Sequence, residues 1–322
     1  MSKKTKIWLT AAASFVFLGC LILGGVLVVA KGDFYKLSTS RYETNSHEIG
    51  QNFENVSVVT DTADVTFLPA EDGKVSVVCY EQKKVKHTVT VTGDTLVIKT
   101  EDSRKWYEYI GINFGTPSIK VYLPSGKHGA LLVRSSTGDV KIAKDLSFES
   151  IDIQGSTGSV TNYASASQDI KIKTSTGNIE LENISAGNIE IYLKTGKISV
   201  FRVMCKGAFK MHTSTGKSSA TDVRAKNFAS TGSTGSIALK NVIVDETMTV
   251  ERSTGDVKFT ACDAGEIYLQ TDTGDVEGTV LTEKVFVAQS DTGDVDVPKT
   301  IKGGRCEISS DTGDIHINFH YH

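Results

Sequence analysis

The chain lacks the features by which most nucleic-acid binders, metalloproteins and hydrolases announce themselves. Its 35 basic and 38 acidic side chains leave a formal net charge of −3, so it has no basic excess with which to grip a phosphate backbone, and no nucleic acid is expected as a partner. Five cysteines occur, one of them inside an apolar run, and none forms a Cys-x-x-Cys or comparable metal spacing. Cys262 and Cys306 stand over two periods of the repeat described below, roughly 10 Å of sheet, beyond disulfide reach. The cysteines therefore read as small buried apolar residues. Arginine is scattered, at Arg134, Arg202, Arg224, Arg252 and Arg305, whereas a solenoid enzyme that cuts polysaccharide needs paired acids with basic residues converging on them. No enzyme and no cofactor are expected, and a polysaccharide-active enzyme is the weakest of the alternatives.

A strict repeat fills the space those absences leave. Thr-Gly followed by a small polar or charged residue recurs with glycines at Gly138, Gly158, Gly177, Gly196, Gly216, Gly235, Gly255, Gly274, Gly293 and Gly313, in steps of 19 or 20 residues. A period held that closely marks a stacked repeat, in which each unit buries its apolar face against its neighbours. Seven and five residues before each glycine stand pairs such as Ile151/Ile153, Ile170/Ile172 and Ile267/Leu269. Two and four residues after it stand Val140/Ile142, Ile179/Leu181 and Val257/Phe259. Alternation at one-residue spacing is the period of a strand, so each repeat carries two short strands joined at the Thr-Gly turn.

A connector follows with one further inward corner residue: Leu146, Ile184, Val203, Val223, Val242, Cys262, Leu281 and Ile301. The expected fold is all-β, a parallel β-helix or β-solenoid of about 19–20 residues per coil, right-handed on the preference of parallel crossovers. Ten or eleven coils at about 4.8 Å make a rod on the order of 50 Å long. The core should thin around Gly216, where Ser218, Ala220 and Ser230 replace larger inward residues.

The amino-terminal end is of another kind. Three lysines lie within residues 1–6, and residues 7–30 contain no charge. At 1.5 Å per residue that run spans about 36 Å, enough to cross the ~30 Å hydrocarbon layer as one transmembrane α-helix. The lysine bias places residues 1–6 in the cytoplasm and the rest outside, a single-pass protein of the cell membrane. A cleaved signal peptide competes, but its apolar region is shorter. A lipoprotein competes through Phe17-Leu18-Gly19-Cys20, yet the residues after Cys20 are apolar where a polar tether would stand. Residues 31–52 read as a stalk, 53–133 as an amino-terminal cap with the first coils, 134–319 as the regular solenoid and 320–322 as its end. Within the cap, Asp61-Thr62-Ala63-Asp64-Val65 looks like a Thr-Gly-Asp-Val turn with alanine at the glycine site.

Four groups of residues are candidate sites. Asp272/Asp275, Asp291/Asp294 and Asp311/Asp314 repeat on both sides of three successive turn glycines, and such stacked carboxylates either hold a hard cation such as Ca²⁺ or are turn residues bonding nearby backbone. Lys194, Lys197 and Lys217 take equivalent places midway along, where they form either a basic patch for a wall polymer or acidic lipid, or a solvated edge. Trp106, Tyr107 and Tyr109 lead the one dense aromatic segment, continuing through Ile110 to Phe114. It is read first as the part of the cap folded over the first coil, and alternatively as a carbohydrate-stacking or partner surface. His316, His320 and His322 share a strand parity that suits a transition metal or simply an exposed last strand.

The segment Ile119 to Pro124, followed by Leu131-Leu132-Val133 and by Ser136-Thr137-Gly138-Asp139-Val140 with its iterations, resembles the bacterial putative-adhesin family of β-strand repeats, a domain of unknown function. The likeness runs over about residues 50 to 319. It implies a β-solenoid on a bacterial envelope protein, often with one membrane helix, and brings no catalytic residues. The expected function is a non-enzymatic, membrane-anchored module for adhesion or envelope interaction, with a cell-wall polymer, glycan or envelope protein as partner. The alternative is an accessory to envelope-stress sensing through partner membrane proteins, since only six residues precede the span.

Overall fold

A computed structural model describes residues 2–29, 31, 40–109 and 115–320. Helix α1, Lys3–Val29, buries none of its residues, and a window within it reaches a mean hydropathy of 2.6. Its 27 residues make about 40 Å, long and apolar enough to cross a bilayer. It is apolar on every side and packs against none of the other described residues closely enough to bury a side chain. Ala30 and residues 32–39 of the expected stalk lie outside the described residues.

From Tyr42 to Phe319 every described strand joins one continuous sheet. The coils stack in parallel and in register: Ile170 pairs with Ile189, Gly177 with Gly196 and Ile179 with Ile198. Like residues therefore sit on like along the axis, and one buried core runs unbroken from Val56 to Ile317. The turn explains its glycines. At Gly177 φ is +140°, and a Cβ there would overlap the carbonyl oxygen of Gly158 one coil below. Ala63 occupies the corresponding place in the first coil, with Val65 paired to Val140 and Val56 to Leu131, as its sequence context implies.

Three features depart from the sequence reading. The connector is a third short strand with two inward residues, not one: Ile184 and Ala186 stack on Val203 and Cys205, and these on Val223 and Ala225. Entry to it is a left-handed residue six after the glycine, with φ of 54° at Asn183, 52° at Arg202 and 55° at Asp222. Non-glycine residues carry this corner, so no glycine signal marked it.

The core does not thin around Gly216. Phe209 and Phe228 stack there with ring centroids 5.4 Å apart, Ser218 bonds Thr213 across 2.9 Å, and the guanidinium of Arg252 reaches in to Ser230. Large neighbours fill the volume that the small residues leave.

Most consequential, the coils at both ends are out of sequence order. Ile267 and Leu269 of the Gly274 coil pair with Cys306 and Ile308 of the Gly313 coil, and these in turn with Phe286 and Ala288 of the Gly293 coil. The last coil in sequence is thus inserted beneath its predecessor. Ile301, expected to point inward, is 90% exposed because its connector leaves the outermost layer and returns under it. Lys284, 5% exposed, is held at this exit by Asp263 at 2.6 Å and by Thr282.

The other end mirrors this. Strand Asn55–Thr60 lies between the Gly138 coil and strand Thr95–Asp102, which comes later in sequence. Antiparallel strands Tyr42–Ile49, Val75–Gln82 and Val85–Thr92 then finish the stack, so the apolar layer at this end does not face solvent as a bare parallel coil.

Candidate ligand-binding face

The strand leading into each turn presents a broad face on which the side chain four before the glycine points outward and the one three before points inward. Inward positions here are small or polar: Ser135, Gly155 and Thr174 in three successive coils. Ser135 Oγ and Thr174 Oγ1 are buried with no hydrogen-bond partner, and Gly155 between them leaves the space of a side chain. A buried hydroxyl without a partner is a cost of about 1–3 kcal/mol. Above this dent lies a groove of about 330 Å³ walled by Asp61, Arg134, Gln154, Lys173 and Tyr192. Arg134 donates to both oxygens of Asp152, at 3.1 and 3.0 Å, which fixes its plane along the wall.

The wall continues as a ladder. Lys173 Nζ stands 5.4 Å from the Tyr192 ring, which stacks on the His212 ring at 4.7 Å. His212 bonds Thr231 and Ser214. Burial, and then the charge of Arg252, hold its pKa below the ordinary imidazole range. Arg252 is 4% exposed, donating to the Glu251 carbonyl and Ser230 Oγ, and makes no ion pair among the described residues. Burial pulls its pKa down to about 10.

The aspartates after the turn glycines have a structural role. Asp275 Oδ1 accepts the Asp314 N–H at 2.9 Å, and Asp314 Oδ1 accepts the Asp294 N–H at 2.8 Å, so each carboxylate ties its coil to the next. Asp139 and Asn178 do the same for Ser159 and Lys197. In space the ridge runs Asp272/Asp275, Asp311/Asp314, Asp291/Asp294, because of the inserted coil. Among the described residues no three ridge carboxylates bring oxygens within 4.8 Å of one another.

Lys194, Lys197 and Lys217 are exposed and make no ion pair among the described residues; being donors only, they interrupt the turn ladder. They flank the continuation of the groove wall at Tyr192 and His212.

Trp106, Tyr107 and Tyr109 are 79%, 50% and 58% exposed, so the described part of the aromatic segment does not fold over the first coil as its composition suggests. They form a short 3-10 turn whose Tyr109 hydroxyl donates to Asp102, with Arg104 above its ring. That turn is set by polar contacts at its base and leaves Trp106 and Tyr107, which meet edge to face, open to solvent; Ile110 to Phe114 lie outside the described residues. His316 goes to Asp296 and Asn318 while His320 faces Thr279, and the two are not brought together; His322 lies outside the described residues.

Two polar groups escaped the sequence reading. Arg252 falls on the inward parity of Met248 and Val250, and Glu81 on that of Val77 and Cys79. A charge on the apolar parity of a strand was the signal available in both cases.

The architecture so assembled is a parallel β-solenoid of about ten coils, carried behind one helix apolar enough to span a membrane. The Toastrack DUF4097 family model matches residues 53–214 and again 206–321, and the chain belongs to that family, a domain of unknown function. Among solved structures, the chain is similar to a putative adhesin from Bacteroides fragilis at 13% identity and TM-score 0.41, covering 86% of this chain and 97% of that one. It is also similar to a putative lipid binding protein from Parabacteroides distasonis at 17% identity and TM-score 0.48, covering 76% and 97%. A putative adhesin from Parabacteroides distasonis matches at 10% identity and TM-score 0.45, covering 85% and 98%. All three scores fall below 0.5. No curated protein matches the chain.

Proposed function

We propose that the chain is a non-enzymatic, single-pass membrane protein whose amino terminus is cytoplasmic and whose solenoid stands outside the membrane as an adhesion or envelope-interaction module. The observation that carries this reading is the groove over Gly155, walled by Arg134, Gln154, Lys173 and Tyr192 and continued by the exposed Lys194, Lys197 and Lys217, which make no ion pair among the described residues. Lysines, an amide and an aromatic ring along one wall suit a polyhydroxylated anionic polymer of the cell wall. Its binding should fall with salt, since exposed charges are screened beyond about 8 Å at physiological ionic strength.

The test is co-sedimentation of the full chain in detergent with purified anionic wall polymer. The expected result is retention by the polymer, weakened several-fold when the three lysines are changed to glutamine. Absence of retention, or equal retention of the triple variant, contradicts the reading. The exposed Trp106, Tyr107 and Tyr109 favour a second reading, an accessory that docks on partner membrane proteins and relays envelope stress. Co-purification with membrane kinases, lost on changing those three residues to serine, would select it.

A further inference from the structure

The inner face of the antiparallel end holds a cluster that neither the wall-facing groove nor the turn ladder uses. Cys79 and Glu81 stand two apart on strand Val75–Gln82, both on its inward side, and His87 comes back across the hairpin on strand Val85–Thr92. They are 0%, 1% and 5% exposed, and their donor atoms lie within 4.8 Å of one another. No other trio of His, Cys, Asp or Glu among the described residues meets that condition.

The surroundings are those of a held ligand set. Glu81 Oε2 accepts from His87 Nδ1 and from the His87 backbone N–H, each at 2.7 Å, and Asn45 Nδ2 donates to Glu81 Oε1 at 2.6 Å. Cys79 Sγ has no hydrogen-bond partner among the described residues. A fourth donor is close at hand. In the neighbouring strand Asn45 pairs with Cys79 and His47 with Val77, so His47 stands on the same face one step along, and its Nε2 is buried without a partner. His87 also borders a cavity of about 310 Å³ with Thr60, Thr100 and Arg104, through which an ion could enter.

We propose that Cys79, Glu81 and His87 are a binding site for a divalent transition metal of the zinc type, with His47 turning in as the fourth ligand. Thiolate, imidazole and carboxylate together select a borderline-soft ion that takes four ligands, and the sulfur disfavours calcium and magnesium. The ion would take the place of the proton between His87 Nδ1 and Glu81 Oε2, the ring carrying its hydrogen on Nε2 towards Thr60 Oγ1, and the Cys79 thiol would give its proton to solvent. Its two charges would balance one thiolate and one carboxylate, leaving the buried site neutral. Asn45 is a positioning residue, holding the Glu81 oxygen that does not face His87.

The test is titration of the chelator-treated full chain, in detergent and carrying Cys20→Ser, with Co²⁺. The expected result is one equivalent bound, with the visible bands of tetrahedral cobalt and a thiolate charge-transfer band, both displaced by Zn²⁺. Cys79→Ser should abolish the charge-transfer band with the β-sheet circular dichroism unchanged. Asn45→Ala should weaken binding roughly 10–100-fold, as loss of outer-sphere support does elsewhere. Absence of tetrahedral bands in the parent chain, or a charge-transfer band that survives Cys79→Ser, overturns the proposal. Should Cys79→Ser not fold, the parent titration and the His87→Gln variant decide it on the same terms.

Discussion

Replacing Gly177 by alanine tests the physical reason for the repeat at one atom. The backbone there has φ of +140°, a region that L side chains rarely adopt, at a strain of about 1–3 kcal/mol. The added Cβ would also overlap the Gly158 carbonyl oxygen, which lies in a rigid turn between two further coils and has no side chain that can rotate away. Forcing an atom into such a packed site costs about another 1–3 kcal/mol. A total near 4 kcal/mol lowers the melting temperature by about 8–16 °C, at roughly 2–4 °C per kcal/mol for a chain of this size.

Two controls separate the terms. Gly73 has φ of +70° with open space around it, so alanine there meets only the left-handed strain of about 1–2 kcal/mol. Gly155 has no positive φ, and its nearest atom stands 3.5 Å from a new Cβ, so Gly155→Ala should change stability by less than about 1 kcal/mol. The assay is thermal unfolding of the full chain in detergent, followed by β-sheet circular dichroism. If Gly177→Ala melts with Gly73→Ala, the close stacking of turn on turn is wrong.

Other changes probe the ends, the core and the ridge. Asp263→Ala leaves the Lys284 ammonium buried without its partner and should cost about 3–5 kcal/mol, while the double change with Lys284→Met should recover most of it in a thermodynamic cycle. Arg252→Met should be neutral or stabilising by about 1–4 kcal/mol at pH 8, because it removes a buried charge that makes no ion pair among the described residues. The pH dependence has a definite sign. The folded-state pKa of about 10 lies below the ordinary arginine value, so the folded protein loses this proton before the unfolded chain does and wild-type stability gains relative to Arg252→Met as pH climbs above about 10; below that window the difference is constant. Once the chain has been stripped of transition metal, its melting in millimolar calcium should equal its melting without calcium, since the post-glycine aspartates are engaged with backbone N–H groups; a raised melting temperature in calcium would show that the ridge binds the ion.

What was legible in the sequence was whatever repeats with a fixed chemistry. The glycine column, the paired inward residues and the Ala63 turn could be read because a single geometry recurs in coil after coil, and β-parity carries it from residue to residue. The third side escaped because its corner is turned without glycine: Asn183, Asp222 and Asn241 are of the type that tolerates a left-handed backbone, but Arg202 and Ala261 hold the same place and break the pattern. Coil order escaped for a deeper reason. Inward faces at adjacent levels are chemically alike, so Ile267 is satisfied equally by Phe286 or by Cys306, and periodicity says nothing about which lies next to it. The same blindness affected the sites. Composition suggested that Trp106 would be covered, whereas the polar anchoring of its turn leaves it in solvent. The cluster of Cys79, Glu81 and His87 forms only when a hairpin folds one strand onto the next.

The interleaved stack is tested most directly by disulfide trapping across the last layers. Tyr268 and Glu307 are partners on adjacent strands, about 4.8 Å apart and within the usual disulfide span of about 4.4–6.8 Å. Tyr268 and Val287 stand two layers apart, at about 9.6 Å. In a Cys20→Ser background, the pair Tyr268→Cys with Glu307→Cys should close under mild oxidation, and the pair Tyr268→Cys with Val287→Cys should stay open. The opposite outcome would mean that the coils follow one another in simple sequence order. Failure of both pairs to close would mean that they are not stacked in this register at all.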